Sequence, residues 1–242
     1  MKYPILLLLA ILILCCSKDA KIDDILINFK ISSKEVLADG KSTIPLSVEL
    51  SKASSEDRRS VVFVASSGMF TESGSNRYAV KPAFENAVLV ARANFRAPTS
   101  PGDIQLKVKP EYDDPLQEYE RIETIVAKPS LPSKLSLQTS SFGIASNHLN
   151  EVLLTGKLSN NNGGFVSTGY KVLFEDFLLN NSPANGQFRV LQSETADSSF
   201  VKTYYSAFAH SIATQFKIRA ILLDSDGQKT SITDSIIITV NQ

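Results

Sequence analysis

The chain has 242 residues, with 25 Lys plus Arg set against 25 Asp plus Glu, two cysteines and no tryptophan. A formal charge of zero offers no basic field to nucleic acid. Both cysteines lie at positions 15 and 16, which excludes disulfides, thiol catalysis and cysteine-zinc sites from the rest of the chain.

Lys2 leads into an apolar run from Ile5 to Leu14, followed by Cys15, Cys16, Ser17, Lys18 and Asp19. A run of about 10 residues is far short of the roughly 20 that a bilayer-spanning helix needs, which predicts a cleaved signal peptide over residues 1–15. Ile13-Leu14-Cys15-Cys16 resembles the lipobox of bacterial lipoproteins, in which a cysteine is acylated before cleavage. The resemblance implies lipidation at Cys16, because the residue before the cut is then the small Cys15 and not the bulky Leu14. An ordinary signal peptide cut later, near Ala20, is the competing reading. Each buried methylene contributes about 0.8 kcal/mol, so two or more chains on one cysteine hold a protein at a membrane where a single chain does not. Ser17, Lys18 and Asp19, with Asp23 and Asp24 after them, resemble the start of Bacteroidetes-type lipoproteins. That likeness implies an outer-membrane, lipid-anchored protein at the cell surface, with residues 16–24 as a lipidated tether.

A first domain is expected over residues 25–129. Ile25, Ile27 and Phe29 alternate as a core-facing strand, and Asp39-Gly40 forms a turn before Ile44, Leu46, Val48 and Leu50, which alternate with polar or proline positions. Ala38-Asp39-Gly40-Lys41-Ser42-Thr43-Ile44 resembles the opening of bacterial immunoglobulin-like domains of the invasin and intimin type, and Val61, Phe63 and Ala65 match their next strand. Residues 54–59 depart from that pattern. Short strands follow at Met69-Phe70, at Tyr78 and Val80, at Val88 and Val90 on one face, after Pro101-Gly102-Asp103 at Ile104, Leu106 and Val108, and at Ile122, Thr124 and Val126.

Lys128-Pro129-Ser130-Leu131-Pro132-Ser133 reads as a proline-stiffened linker that spaces two domains. The second, over residues 130–242, repeats the plan of the first: Leu135 and Leu137 open it, Val152, Leu154 and Leu158 take the places of Ile44, Leu46 and Leu50, and Phe174 that of Phe63. The offsets, 152 − 44 = 108 and 174 − 63 = 111, are close to the roughly 100 residues of an immunoglobulin-like unit. The fold class expected is therefore all-β, two tandem immunoglobulin-like β-sandwiches after a lipoprotein signal peptide. Asn160-Asn161-Asn162-Gly163-Gly164 is expected as a hairpin loop. Later strands hold Val201, Thr203 and Tyr205, then Phe216, Ile218, Ala220 and Leu222, then Ile236, Ile238 and Val240, and residues 206–214 are the one candidate for a helical turn.

Catalytic signatures are not found. His148 and His210 have no metal-ligand spacing, and no P-loop, G-x-S-x-G elbow or dinucleotide fingerprint occurs. No enzymatic activity, cofactor or metal is expected. Asp224-Ser225-Asp226-Gly227 begins like a calcium loop, which makes Asp224 and Asp226 the metal candidates, with a plain hairpin turn as the competing reading. Asp113-Asp114 is a lesser one. Tyr204 and Tyr205 are the ligand-binding candidates: adjacent on a strand, one of them must point away from the core. Tyr112 and Tyr119, and the loops at residues 72–77 and 160–164, are further surface suspects. The expected role is a non-catalytic adhesion, binding or spacer module with a protein or glycan partner. The alternative is a glycan-binding surface lipoprotein that serves an outer-membrane nutrient importer; the missing tryptophan counts against it.

Overall fold

The computed structural model describes residues 25–51, 60–111, 120–145, 150–207 and 214–241. The signal peptide, Cys16 and the tether lie outside these residues, as do residues 54–59, Tyr112, Asp113, Asp114, Tyr119, His148, His210 and most of the segment 206–214.

The Asp39-Gly40 turn forms as the sequence predicts. Asp39 Oδ1 accepts from the amides of Lys41 at 2.8 Å and Ser42 at 2.7 Å, and Gly40 takes φ +70°, a region open to glycine. The chain then enters β3 (Thr43–Leu50), whose Ile44, Leu46, Val48 and Leu50 are all buried. In one sheet β3 lies between β1 (Leu26–Ile31) and β8 (Val88–Arg96), with β5 (Met69–Phe70) and β7 (Ala83–Glu85) along the far side of β8. The facing sheet has the order β2 (Glu35–Ala38), β10 (Arg121–Pro129), β9 (Gly102–Pro110), β4 (Val61–Ala65) and β6 (Arg77–Val80). Between the sheets Phe63, Phe70 and Phe95 meet with ring centroids 6.1 Å apart, Phe70 edge-on to Phe95. Such pairs add about 0.5–1.5 kcal/mol each beyond area burial.

The second half repeats this order. One sheet is β11 (Lys134–Thr139), β13 (Val152–Ser159), β16 (Phe200–Ser206) and β15 (Gln187–Gln192). The other is β12 (Gly143–Ala145), β18 (Lys229–Asn241), β17 (Thr214–Leu223) and β14 (Val172–Leu178). Thus β13 occupies the place of β3, and β14 that of β4, as the sequence offsets imply. The molecule is all-β, two immunoglobulin-like sandwiches each with its own apolar core.

Two expectations need correction, in β1 and at residues 160–164, while β8 and β10 turn inward a face that the sequence leaves unassigned. In β1 a bulge between Leu26 and Phe29 resets the alternation, so Leu26 is buried while Ile27 stays 45 % exposed. In β8 the core takes Leu89, Ala91, Ala93 and Phe95, leaving Val88 and Val90 on the opposite face. In β10 the inward residues are Ile125 and Ala127, and Ile122 and Val126 stand outside at 46 % and 40 % exposure. Finally, residues 160–164 form a tight turn, with Gly163 N donating to Asn160 O at 2.9 Å, but not a hairpin. The strands on either side, β13 and β14, belong to different sheets, so this segment crosses between layers.

Candidate functional site

Tyr204 and Tyr205 sit on β16, where side-chain period two sends them to opposite faces. Tyr205 is fully buried against Phe188 with a centroid distance of 5.0 Å, and its hydroxyl donates to Asp176 Oδ2 at 3.0 Å. The same oxygen accepts from Gly186 N at 2.6 Å. Burial, then the Asp176 carboxylate beside it, drives the Tyr205 hydroxyl far above its ordinary pKa, so it stays protonated. Tyr205 is thus a core anchor closed to ligands. Tyr204 faces outward, but the Arg189 guanidinium lies 4.4 Å from its ring centroid. Glu151 holds that guanidinium through both oxygens, and this hydrogen bonding lowers the Glu151 pKa. One face of the Tyr204 ring is therefore already covered, which weighs against a bare tyrosine platform for sugar.

Asp224 and Asp226 lie in the turn between β17 and β18. Asp224 Oδ1 accepts from Asp226 N at 3.0 Å and Gln228 N at 2.7 Å, and Asp224 O accepts from Gly227 N at 3.1 Å. The carboxylate of Asp224 serves its own backbone in an Asx turn, the geometry of a hairpin connection. Among the described residues no group of three or more His, Cys, Asp and Glu side chains is placed to hold a metal.

The structure brings together a set of residues that the sequence reading passes over, where the two sandwiches meet. Ser130, expected in a spacing linker, is buried instead. Its amide donates to Ser167 Oγ at 2.8 Å, its hydroxyl donates to Phe165 O at 2.8 Å, and it accepts from Asn160 Nδ2 at 3.1 Å. Ser167, also buried, donates across the junction to Ala38 O at 2.7 Å. Thr195 Oγ1 donates to Ser167 O at 2.8 Å and accepts from Tyr170 N at 3.0 Å. Further bonds across the junction run from Thr168 N to Thr99 O at 3.0 Å and from Thr99 Oγ1 to Asp197 Oδ1 at 3.3 Å. Lys41 Nζ stands 4.1 Å from the Phe165 ring centroid, a cation-π contact. The linker is therefore part of a hydrogen-bonded joint and not a free spacer. Its serines and threonines carry no hydropathy signal; only their closeness to the Lys128-Pro129-Ser130 stretch or to the Asp39-Gly40 turn could have marked them.

The strand directions fix where the joint lies. Leu26, at the start of β1, pairs with Leu50, whereas Thr43 at the other end of β3 pairs with Arg96, beside Ala97, Thr99 and Lys41. The N-terminal entry and the joint are thus at opposite ends of the first sandwich. In the second, β11 enters at the joint, and β16 leaves it near Thr195 and Ser199.

No protein-family model matches the sequence, and no curated protein matches it. Solved structures do. The crystal structure of invasin, a bacterial integrin-binding protein, aligns with a TM-score of 0.57 and 15 % identity over 88 % of this chain and 38 % of that one. The adhesin InvE of Yersinia pseudotuberculosis aligns at 0.46 and 16 % identity over 90 % of this chain and 61 % of its own. A glycosyl hydrolase family 2 member from Bacteroides cellulosilyticus aligns at 0.33 and 13 % identity, over 85 % of this chain and 24 % of its own. This chain thus spans well under half the length of the invasin structure. At such identities the likeness establishes the fold, and that fold is the tandem immunoglobulin-like architecture seen in invasin.

Proposed function

We propose that this chain is a non-catalytic lipoprotein of the cell envelope, held in the outer membrane by acylated Cys16 and exposed at the cell surface. It acts as an adhesion or binding module, with the first sandwich spacing the second away from the membrane. The observation that carries this reading is the joint: β1 begins at one end of the first sandwich, and a second sandwich is bonded to the other end through Ala38, Thr99, Ser167 and Thr168. Such a joint keeps loops and edges of the outer sandwich presented at a fixed height, the way rigid scaffolds carry recognition. The fold shared with invasin supports the same reading. Two measurements test it in cells. Palmitate labelling and mass spectrometry of the mature chain should find acylated Cys16 at the N-terminus, with both lost in Cys16→Ser. Protease added to intact cells should then release the sandwiches of the wild-type protein. An unacylated N-terminus, or complete protection of the sandwiches in intact cells, contradicts the proposal.

A further inference from the structure

The end of the first sandwich that lies away from the joint leaves apolar side chains bare. Leu26 of β1, Leu50 of β3, Leu89 of β8 and Phe84 of β7 form one row across the sheet, because Leu50 pairs with both Leu26 and Leu89, and Leu89 pairs with Phe84. The three leucines are buried, yet Phe84 is 63 % exposed, and Ile27 beside Leu26 is exposed as well.

Beyond this row β7 and β8 close in a two-residue turn, Asn86-Ala87, both at positive φ, which suits the twist of a hairpin. Glycine is the usual second residue of such a turn, and alanine there puts a methyl group on the tip. Ala83, Ala87 and Val88 are exposed around it. The one acid of the hairpin, Glu85, is engaged at both oxygens by Arg92, whose Nε donates at 2.8 Å. The tip therefore presents methyl groups and a phenyl ring with no free carboxylate, and Lys81 stands exposed just before it. The flanks of the same sandwich differ: they carry the ion pairs Lys30–Glu49, Lys34–Glu123 and Lys107–Glu120, which stay hydrated.

We infer that this end is a lipid-contact surface: the β7–β8 hairpin enters the headgroup layer of the membrane that anchors the chain, with Phe84 and Val88 toward the acyl chains and Lys81 at the phosphates. The inference rests on the anchor proposed above, and the length of the tether argues for it. Ile25, which already packs against the core, stands nine residues after Cys16. Nine residues span at most about 30 Å even when fully extended. Leu26 lies in the exposed row itself, so a lipid on Cys16 keeps this end, and not the joint, near the headgroups. A tether so short makes the local lipid concentration high, and a contact too weak to bind membranes alone becomes occupied. An aromatic ring with a lysine nearby suits that interface, the ring reaching inward and the ammonium outward.

The chain has no tryptophan, so Phe84→Trp and Val88→Trp each give a single reporter. Residues 16–242 contain one cysteine, Cys16, which couples to a maleimide lipid in phosphatidylcholine vesicles. This coupling supplies the lipid whether or not cells acylate the residue, so contact and anchor are tested apart. In variants shown by circular dichroism to be folded, coupling should shift both indole emissions to shorter wavelength, and lipids brominated in their acyl chains should quench them. Ile237→Trp, an exposed site on β18 of the second sandwich, should show neither effect. Backbone hydrogen exchange of residues 83–88 should slow when the wild-type chain is coupled, and Phe84→Asp should restore the uncoupled rate. Emission unchanged on coupling in both hairpin variants, equal quenching at position 237, or a shift that follows protein concentration without lipid, which would mark a second copy as the occupant, overturns the inference. Quenching in coupled vesicles with Cys16 unacylated in cells would refute the anchor and leave the affinity of this surface for lipid standing; acylated Cys16 without quenching would do the reverse.

Discussion

Ser167→Ala is the substitution that probes the joint most sharply. The Ser167 hydroxyl both donates to Ala38 O of the first sandwich at 2.7 Å and accepts from Ser130 N of the linker at 2.8 Å, at a site that is 1 % exposed. Alanine leaves a carbonyl and an amide without this partner in a place with little water. An unsatisfied buried group costs about 1–3 kcal/mol, so the pair amounts to roughly 2–4 kcal/mol once some relaxation is allowed. Only the Ala38 half of this cost belongs to the contact between sandwiches; the Ser130 half destabilises the linker. Urea denaturation and calorimetry of the full chain should show the loss together with a broader or split transition as the sandwiches unfold less cooperatively. Hydrogen exchange of the Ser130 amide should rise at the same time. Ser231→Ala, an exposed site in β18, serves as the control and should do neither. If Ser167→Ala costs less than about 0.5 kcal/mol, the range of an ordinary surface change, and leaves the Ser130 amide protected, the joint does not couple the two halves as described.

Three further outcomes follow from the core and its surface. A Cβ added at Gly186 would lie 2.4 Å from a Tyr205 ring carbon and 2.7 Å from Asp176 Oδ2, so Gly186→Ala should cost about 1–3 kcal/mol by denaturation, the range of overpacked cores; a neutral result would mean the Tyr205 site is looser than drawn. Because Tyr205 has its pKa raised in the folded state, its contribution to stability is fully present below the unfolded value near 10 and is lost as pH rises beyond it. Stability should then decline by about 1.4 kcal/mol per pH unit above roughly pH 10 for this one proton, a slope that Tyr205→Phe removes; an equal slope in both proteins contradicts the assignment. Arg189→Ala uncovers the Tyr204 ring at an exposed ion pair and should leave the denaturation midpoint close to that of the wild type. A larger loss by denaturation would show that the Glu151–Arg189–Tyr204 stack has a structural role.

The sequence reading succeeds where one face of a strand is apolar and the other polar. β3 and β13 alternate cleanly, and so do Val201, Thr203 and Tyr205, which makes these strands and the repeat between halves legible. It leaves the inward face unassigned where both faces of a strand carry aliphatic side chains. In β8 and β10 the more conspicuous valines and isoleucine lie outside, while the core takes alanines beside Leu89, Phe95 and Ile125, and period two alone cannot choose between two apolar faces. A bulge such as that in β1 shifts the alternation by one and leaves no local signal in Leu26-Ile27-Asn28-Phe29. Of the candidate residues, adjacency alone foretold that Tyr204 and Tyr205 would part, but the partners that decide their roles, Arg189 and Asp176, come from strands distant in sequence. The joint is the least legible part, since buried Ser130, Ser167 and Thr195 look in sequence like ordinary loop residues.

The fixed relation between the two sandwiches underlies the proposed spacing role. Residual dipolar couplings measured on the full chain in a weakly aligning medium report the orientation of each half separately. A single alignment tensor, equal in magnitude and direction for residues 26–129 and 134–241, is the result expected of a joint held by Ala38, Thr99, Ser167 and Thr168. Two tensors of different magnitude would mean that the sandwiches move independently, and the account of a module presented at a fixed height would fail with them.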